Sequence, residues 1–433
     1  MEWMFEQMAD RRHKYNVLVV GAGPAGLAAA ASAAEAGARI AIVDDNPGAG
    51  GQIWRGEELK SGSPDAAKWL RKIREAGVDF ISETRVLAAP EAGALLAESV
   101  DGHREIVYEK LIMATGARER FLPFPGWTLP NVVGAGGLES LVKGGLPIAG
   151  KKVVVAGSGP LLLAVASYLR TQGADVRWVA EQAPGARVIR FGLRLIAQPG
   201  KLLQAMGLKW ELFGVPYTTG CWPVEANGKG QLESVSLKCG KKTWTVSCDY
   251  LACGFNLVPN TELAVLLGCK LEEGNVWVDD FQQTSRANIY SAGEATGVGG
   301  LELSLVEGRI AGYAASGRSE EANALFAVRN KQRRFASSLN GAFALRDELK
   351  HLPRPSTLVC RCEDVTLGQL KTWCSWREAK LQSRCGMGPC QGRVCGTALE
   401  FLLGWTPDSI RPPIFPARVE SLAAMGDGPD RQQ

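Results

Sequence analysis

Residues 16–45 read NVLVVGAGPAGLAAAASAAEAGARIAIVDD. An apolar run, a glycine turn, an alanine-rich stretch and a second apolar run follow one another, the order of a strand–turn–helix–strand dinucleotide unit. Gly21 permits the tight turn, Gly23 lets the backbone approach a pyrophosphate, and Gly26 lets helix pack on strand. Phosphates would then lie at the positive end of the helix. Asp44 closes the second run, where a carboxylate accepts hydrogen bonds from ribose hydroxyls; Asp45 is the substitute one position on. A glycine fingerprint alone is weak, because such turns also serve packing, but here strand, helix and acid all stand in their places.

A second copy, KKVVVAGSGPLLLAVASYLRTQGADVRWVAEQ, spans residues 151–182 and aligns without a gap, Gly21 on Gly157 and Gly37 on Gly173. Two such units imply two nucleotide-binding-type domains. The copy is imperfect. Leu162 stands where the third small residue belongs and should crowd helix against strand. Ala180 falls on Asp44, which removes a ribose contact, although Glu181 is adjacent. Three roles stay open for this domain: NAD(P)H binding, binding of another adenine nucleotide, or a purely structural part.

Near the other end, VCRCED places Cys360 and Cys362 one residue apart, and GMGPCQGRVCG supplies Cys390 and Cys395. Four thiols in two tight pairs, flanked by glycines that let backbone wrap an inorganic core, suit a [2Fe–2S] cluster. Zinc is the competing ion for four thiolates. Cys385 is an alternative to Cys390, and Cys374 reads as a buried helix-face residue. Arg361, Arg384 and Arg393 could offset the cluster's negative charge.

The chain has 433 residues, enough for two or three domains, with 46% hydrophobic and 22% charged residues, as in a globular protein. Its net charge of +4 is spread along the chain, which gives no support for nucleic-acid binding; Arg187, Arg190, Arg194 and Lys201 read as a solvated helix face. The first residues, MEWMFEQMADRRHKYN, carry no apolar run of signal length, and no stretch reaches the ~18 apolar residues of a membrane span. A cytoplasmic protein is expected, with any membrane contact peripheral. Cys221, Cys239, Cys248, Cys253 and Cys269 are expected to be buried packing thiols, not disulfides. With three histidines, none in a motif, no catalytic residue is assigned.

Three further motifs resemble the two-domain flavin disulfide-reductase superfamily: GGQIW at Gly50–Trp54, MATGA with Thr115 and Gly116, and SAGEA with Gly293 and Glu294. That resemblance implies FAD, and an α/β fold of two Rossmann-like domains with the second inserted in the first. The FAD contacts it implies are Gly21, Gly23, Gly26, Asp44, Gly51, Gln52, Val86, Thr115, Gly116, Gly293 and Glu294. In the superfamily the last motif usually carries Asp, whose carboxylate binds the ribityl chain; Glu294 is one methylene longer. The superfamily's redox dithiol is missing, because no cysteine precedes Cys221.

The cysteine-rich end resembles the bacterioferritin-associated ferredoxin-like [2Fe–2S] domain. Together with FLPFPGWTLPNVVGAGG at Phe121–Gly137, the whole chain resembles the FAD-binding larger subunit of heteromeric dehydrogenases that include opine oxidases, hydrogen cyanide synthase, dye-linked proline dehydrogenases and D-hydroxyproline dehydrogenase. The limits this implies are residues 1–125 and 286–350 for the FAD domain, 126–285 for the second domain and 356–433 for the cluster domain. It also implies a partner in the form of an amino-acid-oxidase-like FAD subunit, a quinone or dye as electron acceptor, and a site in the cytoplasm or on the inner membrane face. The alternative is a self-sufficient NAD(P)H-dependent flavin reductase; a third reading is a redox-sensing binding protein.

Overall fold

The computed structural model describes residues 12–56, 63–196, 198–407 and 410–424; the first eleven residues, part of the segment from which a leader was discounted, lie outside them. These residues form two compact units. One comprises the described parts of Met1–Arg118, Pro259–Ala336 and Ser409–Gln433; the other comprises those of Glu119–Val258 and Ser337–Asp408.

The first unit is built on a seven-stranded sheet. Its strands are β1 (Arg12–Val20), β2 (Ile40–Val43), β3 (Asp79–Ile81), β4 (Arg85–Ala88), β5 (Ala94–Ser99) and β6 (Gly102–Met113). They lie in the order β3–β2–β1–β6–β5–β4, with the short strand Ile289–Ser291 also paired to β6. Parallel pairing of β1 with β2 and β6 explains the unbroken apolar run Val17–Leu18–Val19, since a central parallel strand is covered on both faces. Between β1 and β2 lies α1 (Pro24–Ala34), alanine-rich because it is buried on nearly every side. The helix Leu301–Ala315 lies against it so closely that a β-carbon at Gly308 or Gly312 would come within 2.2 Å of the Ala25 or Ala29 carbonyl oxygen. Either glycine replaced by alanine would force the helices apart.

The second unit repeats the plan. Its elements are β7 (Val132–Gly134), α2 (Ala135–Lys143), β8 (Lys152–Ser158), α3 (Leu161–Thr171), β9 (Asp175–Glu181), α4 (Gly185–Leu195), α5 (Pro199–Glu211) and β10 (Tyr217–Thr219). There follow β11 (Cys221–Asn227), β12 (Ser234–Cys239), β13 (Lys242–Ser247) and β14 (Tyr250–Phe255). Five of these strands make a parallel sheet in the order β10–β9–β8–β14–β7, and β11, β12 and β13 make a separate antiparallel one.

The antiparallel sheet corrects one expectation about the cysteines. Cys221 and Cys239 are not separate packing thiols: the register sets them directly opposite each other on β11 and β12, where they form a disulfide. Facing positions of an antiparallel pair can bring β-carbons within bonding reach, and sequence spacing does not reveal the register. Cys248, Cys253 and Cys269 are buried free thiols, as expected.

The cysteine-rich module is part of the second unit. A hairpin of Leu358–Cys360 with Val365–Thr366 and the helices Trp376–Ser383 and Cys395–Leu403 enclose a small core of Val359, Leu367, Leu370, Trp376 and Leu399. The Trp127 indole N–H donates to the Leu358 carbonyl (2.7 Å), and Arg120 pairs with Glu400 (3.2 Å). Cys374, expected on a buried helix face, is exposed. It stands just before Ser375, the residue that caps helix Trp376–Ser383, so it lies outside the helix. The described segment from residue 410 belongs to the first unit, where the Ile414 N–H bonds the Leu87 carbonyl on β4.

Candidate functional sites: a dinucleotide cradle, a second fingerprint and a thiol cluster

In the first unit, β1 runs into a turn at Gly21 whose φ of +106° favours glycine, and a β-carbon there would sit 2.3 Å from the Ala114 oxygen. Gly26 is equally constrained: its β-carbon would come within 1.8 Å of the Gly21 oxygen. A β-carbon at Gly23, by contrast, would meet nothing within 4 Å. Constraint at the turn and helix with open space at Gly23, over the start of α1, is what a pyrophosphate at the helix N-terminus requires.

Asp44 follows β2 beside this turn. Its carboxylate accepts from the Ala22 N–H (2.6 Å) and from the backbone and side chain of Asn46 (2.8 and 2.7 Å). Asp45 pairs elsewhere, with Arg85 at 3.3 Å. Gly50 donates to the Ala22 carbonyl (2.8 Å), which holds Gly51 and Gln52 at the edge of the turn; Gln52 accepts from Arg55. Thr115 and Gly116 are fixed by Asn260, which accepts the Thr115 hydroxyl (2.7 Å) on its carbonyl and donates to the Thr115 and Gly116 carbonyls (both 2.9 Å). Val86 lies on β4, buried in the core.

The 3₁₀ turn Gly293–Thr296 carries Glu294. Burial raises its pKa, and no hydrogen bond satisfies its carboxylate among the described residues. A largely buried acid left without a donor suits a hydroxyl-bearing ligand, so the residues of this site fit FAD. The turn itself rests on Glu307, which sequence reading did not single out. Its buried carboxylate accepts from the Gly293 N–H (3.2 Å), the Thr296 hydroxyl (2.9 Å) and Arg333 (2.8 and 3.0 Å). A glutamate inside an apolar helix was the one available signal.

The second fingerprint departs from expectation. Ala180 is not the structural partner of Asp44. A bulge in β9 between Val176 and Trp178 inserts one residue, so Glu181 lies opposite Gly157. Its buried carboxylate accepts from the N–H groups of Gly159 and Ala183 (both 2.7 Å), and burial pushes its pKa up to about 7. Leu162 is absorbed into the core of this sheet at the start of α3.

Residues 343–346 run beside this fingerprint, while a β-carbon at Gly159, the counterpart of Gly23, would meet nothing within 4 Å. The Phe343 carbonyl accepts from Ser158, in the fingerprint, at 2.8 Å, from Asn256 at 3.3 Å and from Gln182 at 3.4 Å. Gln182 also donates to Ser158 and Ala344, and accepts from the Arg346 N–H. Polar groups beside the fingerprint are therefore already paired with residues 343–346.

In the cysteine module, the sulfurs of Cys360, Cys385 and Cys395 lie within 4.8 Å of one another, all buried. Of the four expected ligands, Cys360 and Cys395 stand in this triad with Cys385, while Cys362 and Cys390 lie outside it, Cys390 near enough to both Cys395 and Cys362 to interact with them. Hydrogen bonds from Cys385 and Cys395 bring the Cys360 thiol down to about 2, and one from Cys395 brings Cys390 down to about 5. Burial raises the Cys362 thiol and the same mutual contacts raise those of Cys385 and Cys395, so the five share protons, and it is their grouping that suits a bound metal or iron–sulfur core. Arg384 is bonded to Glu363 at 2.8 Å.

Residues 15–311 match the pyridine nucleotide-disulphide oxidoreductase family. An opine oxidase subunit of Rhizobium meliloti (strain 1021) is 32% identical, over 95% of this chain and 99% of the relative. Hydrogen cyanide synthase subunit HcnB of Pseudomonas aeruginosa is 31% identical, over 91% and 92%. Among solved structures, L-proline dehydrogenase from P. horikoshii superposes with a TM-score of 0.65 at 18% identity, over 95% of this chain and 80% of that one, a likeness of fold.

Proposed function

The chain belongs to the pyridine nucleotide-disulphide oxidoreductase family, and we propose that it is the electron-transferring flavoprotein subunit of a heteromeric dehydrogenase. In this reading a partner, amino-acid-oxidase-like flavoprotein oxidises the C–N bond of an amino acid, imino acid or opine. A bound flavin would supply two-electron and one-electron redox chemistry, and a [2Fe–2S] cluster one-electron chemistry.

This chain's residues would bind and orient those groups. Asp44 and the backbone around Gly21, Gly23 and Gly26 would hold the ribose and pyrophosphate, with Gly51, Gln52, Val86, Thr115 and Gly116 lining the remainder. Glu294 would accept from a ribityl hydroxyl, with Gly293 and Glu307 fixing its turn. Cys360, Cys362, Cys390 and Cys395 would ligate the cluster, with Cys385 the competitor of Cys390. Electrons would leave to a quinone or dye acceptor, with the protein in the cytoplasm or on the inner membrane face. Among the described residues, no helix is long and apolar enough to cross a membrane.

The observation that supports this reading over a self-sufficient NAD(P)H reductase is the near end-to-end likeness to subunits of an opine oxidase and of hydrogen cyanide synthase. The chain should therefore reduce dye with proline, hydroxyproline, glycine or opines only when expressed with its partner. Substantial turnover by this polypeptide alone would place the substrate site on it and end the relay reading. Anaerobic mixing with millimolar NADH should bleach the flavin slowly or not at all, and reduction within about a second would restore the reductase.

A further inference from the structure

The helices α4 and α5 form a hairpin that the rest of the second unit barely covers. No residue of α5 is buried, although half of it is apolar in character. On α4 and its C-cap, Ile189, Leu193 and Ile196 stand at a spacing of four and three residues, and on α5 Leu203, Met206 and Trp210 repeat it as three and four. Each of the six is at least 60% exposed, and Trp210, at 80%, has Phe213 beside it with ring centroids 6.3 Å apart. Two apolar stripes therefore face solvent on consecutive helices. Such an arrangement is too costly to leave uncovered unless it has an occupant.

The hairpin's polar anchors lie away from those stripes. Ser167 on α3 bonds Glu211 at the end of α5, Arg170 bonds the Phe213 carbonyl (2.8 Å), Leu212 is buried beneath them, and Arg194 bonds Ser338 (2.8 Å).

Charge identifies the occupant. From Gln182 to Trp210 the chain has Arg187, Arg190, Arg194, Lys201 and Lys209 and no aspartate or glutamate. A second copy packed face to face would bring these like charges together. A partner protein's interface is ordinarily depleted of lysine, and Lys201 and Lys209 stand next to the α5 stripe in sequence. An anionic bilayer meets both demands, since interleaved basic residues pair with lipid headgroups while leucine, isoleucine, methionine and tryptophan enter the acyl boundary.

We propose that the α4–α5 hairpin docks this subunit on the surface of an anionic lipid bilayer. This rests on the relay reading, in which electrons pass to an acceptor such as a membrane quinone. Its test reads lipid partition and not turnover, so either reading can fail alone.

The cofactor-loaded full chain is sedimented with vesicles of one part phosphatidylglycerol to two parts phosphatidylcholine, and with phosphatidylcholine alone. Binding to the anionic vesicles, weakened by salt and nearly absent on the neutral ones, is expected. Arg187→Gln, Arg190→Gln and Lys209→Gln together should weaken it about a hundredfold, taking a contribution of roughly a factor of five per charge. Flavin absorbance checks that these variants fold. Brominated acyl chains should quench a component of tryptophan emission that Trp210→Phe removes, an independent readout at wild-type charge. Wild type that stays in the supernatant, or variants that bind as tightly as wild type, would overturn the proposal. So would Leu203→Glu with Met206→Glu leaving lipid binding intact while abolishing capture of the co-expressed partner, which would make this face the subunit interface.

Discussion

Replacing Glu307 by alanine tests whether this residue holds the flavin-side turn. The carboxylate is 1% exposed and accepts four hydrogen bonds, from the Gly293 N–H, the Thr296 hydroxyl and twice from Arg333. Truncating one member of a buried ion pair costs about 3 to 5 kcal/mol when the remaining charge is trapped. Arg333 is not trapped: its side chain is 37% exposed and keeps a bond to the Gln282 side chain (2.9 Å). That places the electrostatic loss below the usual range, while the orphaned Gly293 N–H adds about 1 to 3 kcal/mol. The terms overlap, so Glu307→Ala should cost about 3 kcal/mol in urea unfolding of the holoprotein and weaken FAD retention as the Glu294 turn loosens. Burial raises the Glu307 pKa against the pull of Arg333, so what a neutral replacement must keep above all is the acceptor. Glutamine, which keeps an acceptor for Gly293 and Thr296, should therefore cost under about 1 kcal/mol. An alanine variant within about 1 kcal/mol of wild type, with FAD affinity unchanged, would refute the assignment of Glu307 as the support of this turn.

Asp44→Ala removes the 2.6 Å acceptor of the Ala22 N–H and should weaken FAD retention by about 1.5 to 3 kcal/mol, read by equilibrium dialysis; unchanged affinity would remove Asp44 from the site. Glu181 has a folded pKa raised to about 7, so the stability it contributes is full below its unfolded value and is lost as pH rises through 7, an effect of up to roughly 3 kcal/mol. Urea unfolding at about pH 5 and about pH 8 should show wild type losing stability relative to Glu181→Gln at the higher pH, and a difference that does not move with pH contradicts the burial argument. Serine at Cys360, Cys362, Cys390 or Cys395 should lose or alter the [2Fe–2S] absorbance and electron paramagnetic resonance signals, while serine at Cys385 keeps them. The reverse result for Cys385 and Cys390 would exchange those two ligands, and zinc without iron in anaerobically prepared protein would end the cluster assignment.

Both dinucleotide units, the glycine turn at Gly21 and the clustering of thiols near the C-terminus were legible from local sequence, because each depends on neighbours in the chain. An apolar run followed by a glycine turn and an alanine-rich helix needs no distant partner to be recognised. Everything that turned on register or on chain returning from afar was not legible. A one-residue bulge in β9 moved Glu181 into the place counted for Ala180, and strand pairing joined Cys221 to Cys239. Residues 343–346 return to the side of the second fingerprint from far along the chain, and Glu307 reaches the Gly293 turn from one helix away. The exposed stripes of α4 and α5 were concealed for a related reason. Amphipathic spacing predicts that a helix has an apolar face, but only the packed structure decides whether that face meets the core or is left for something outside the chain.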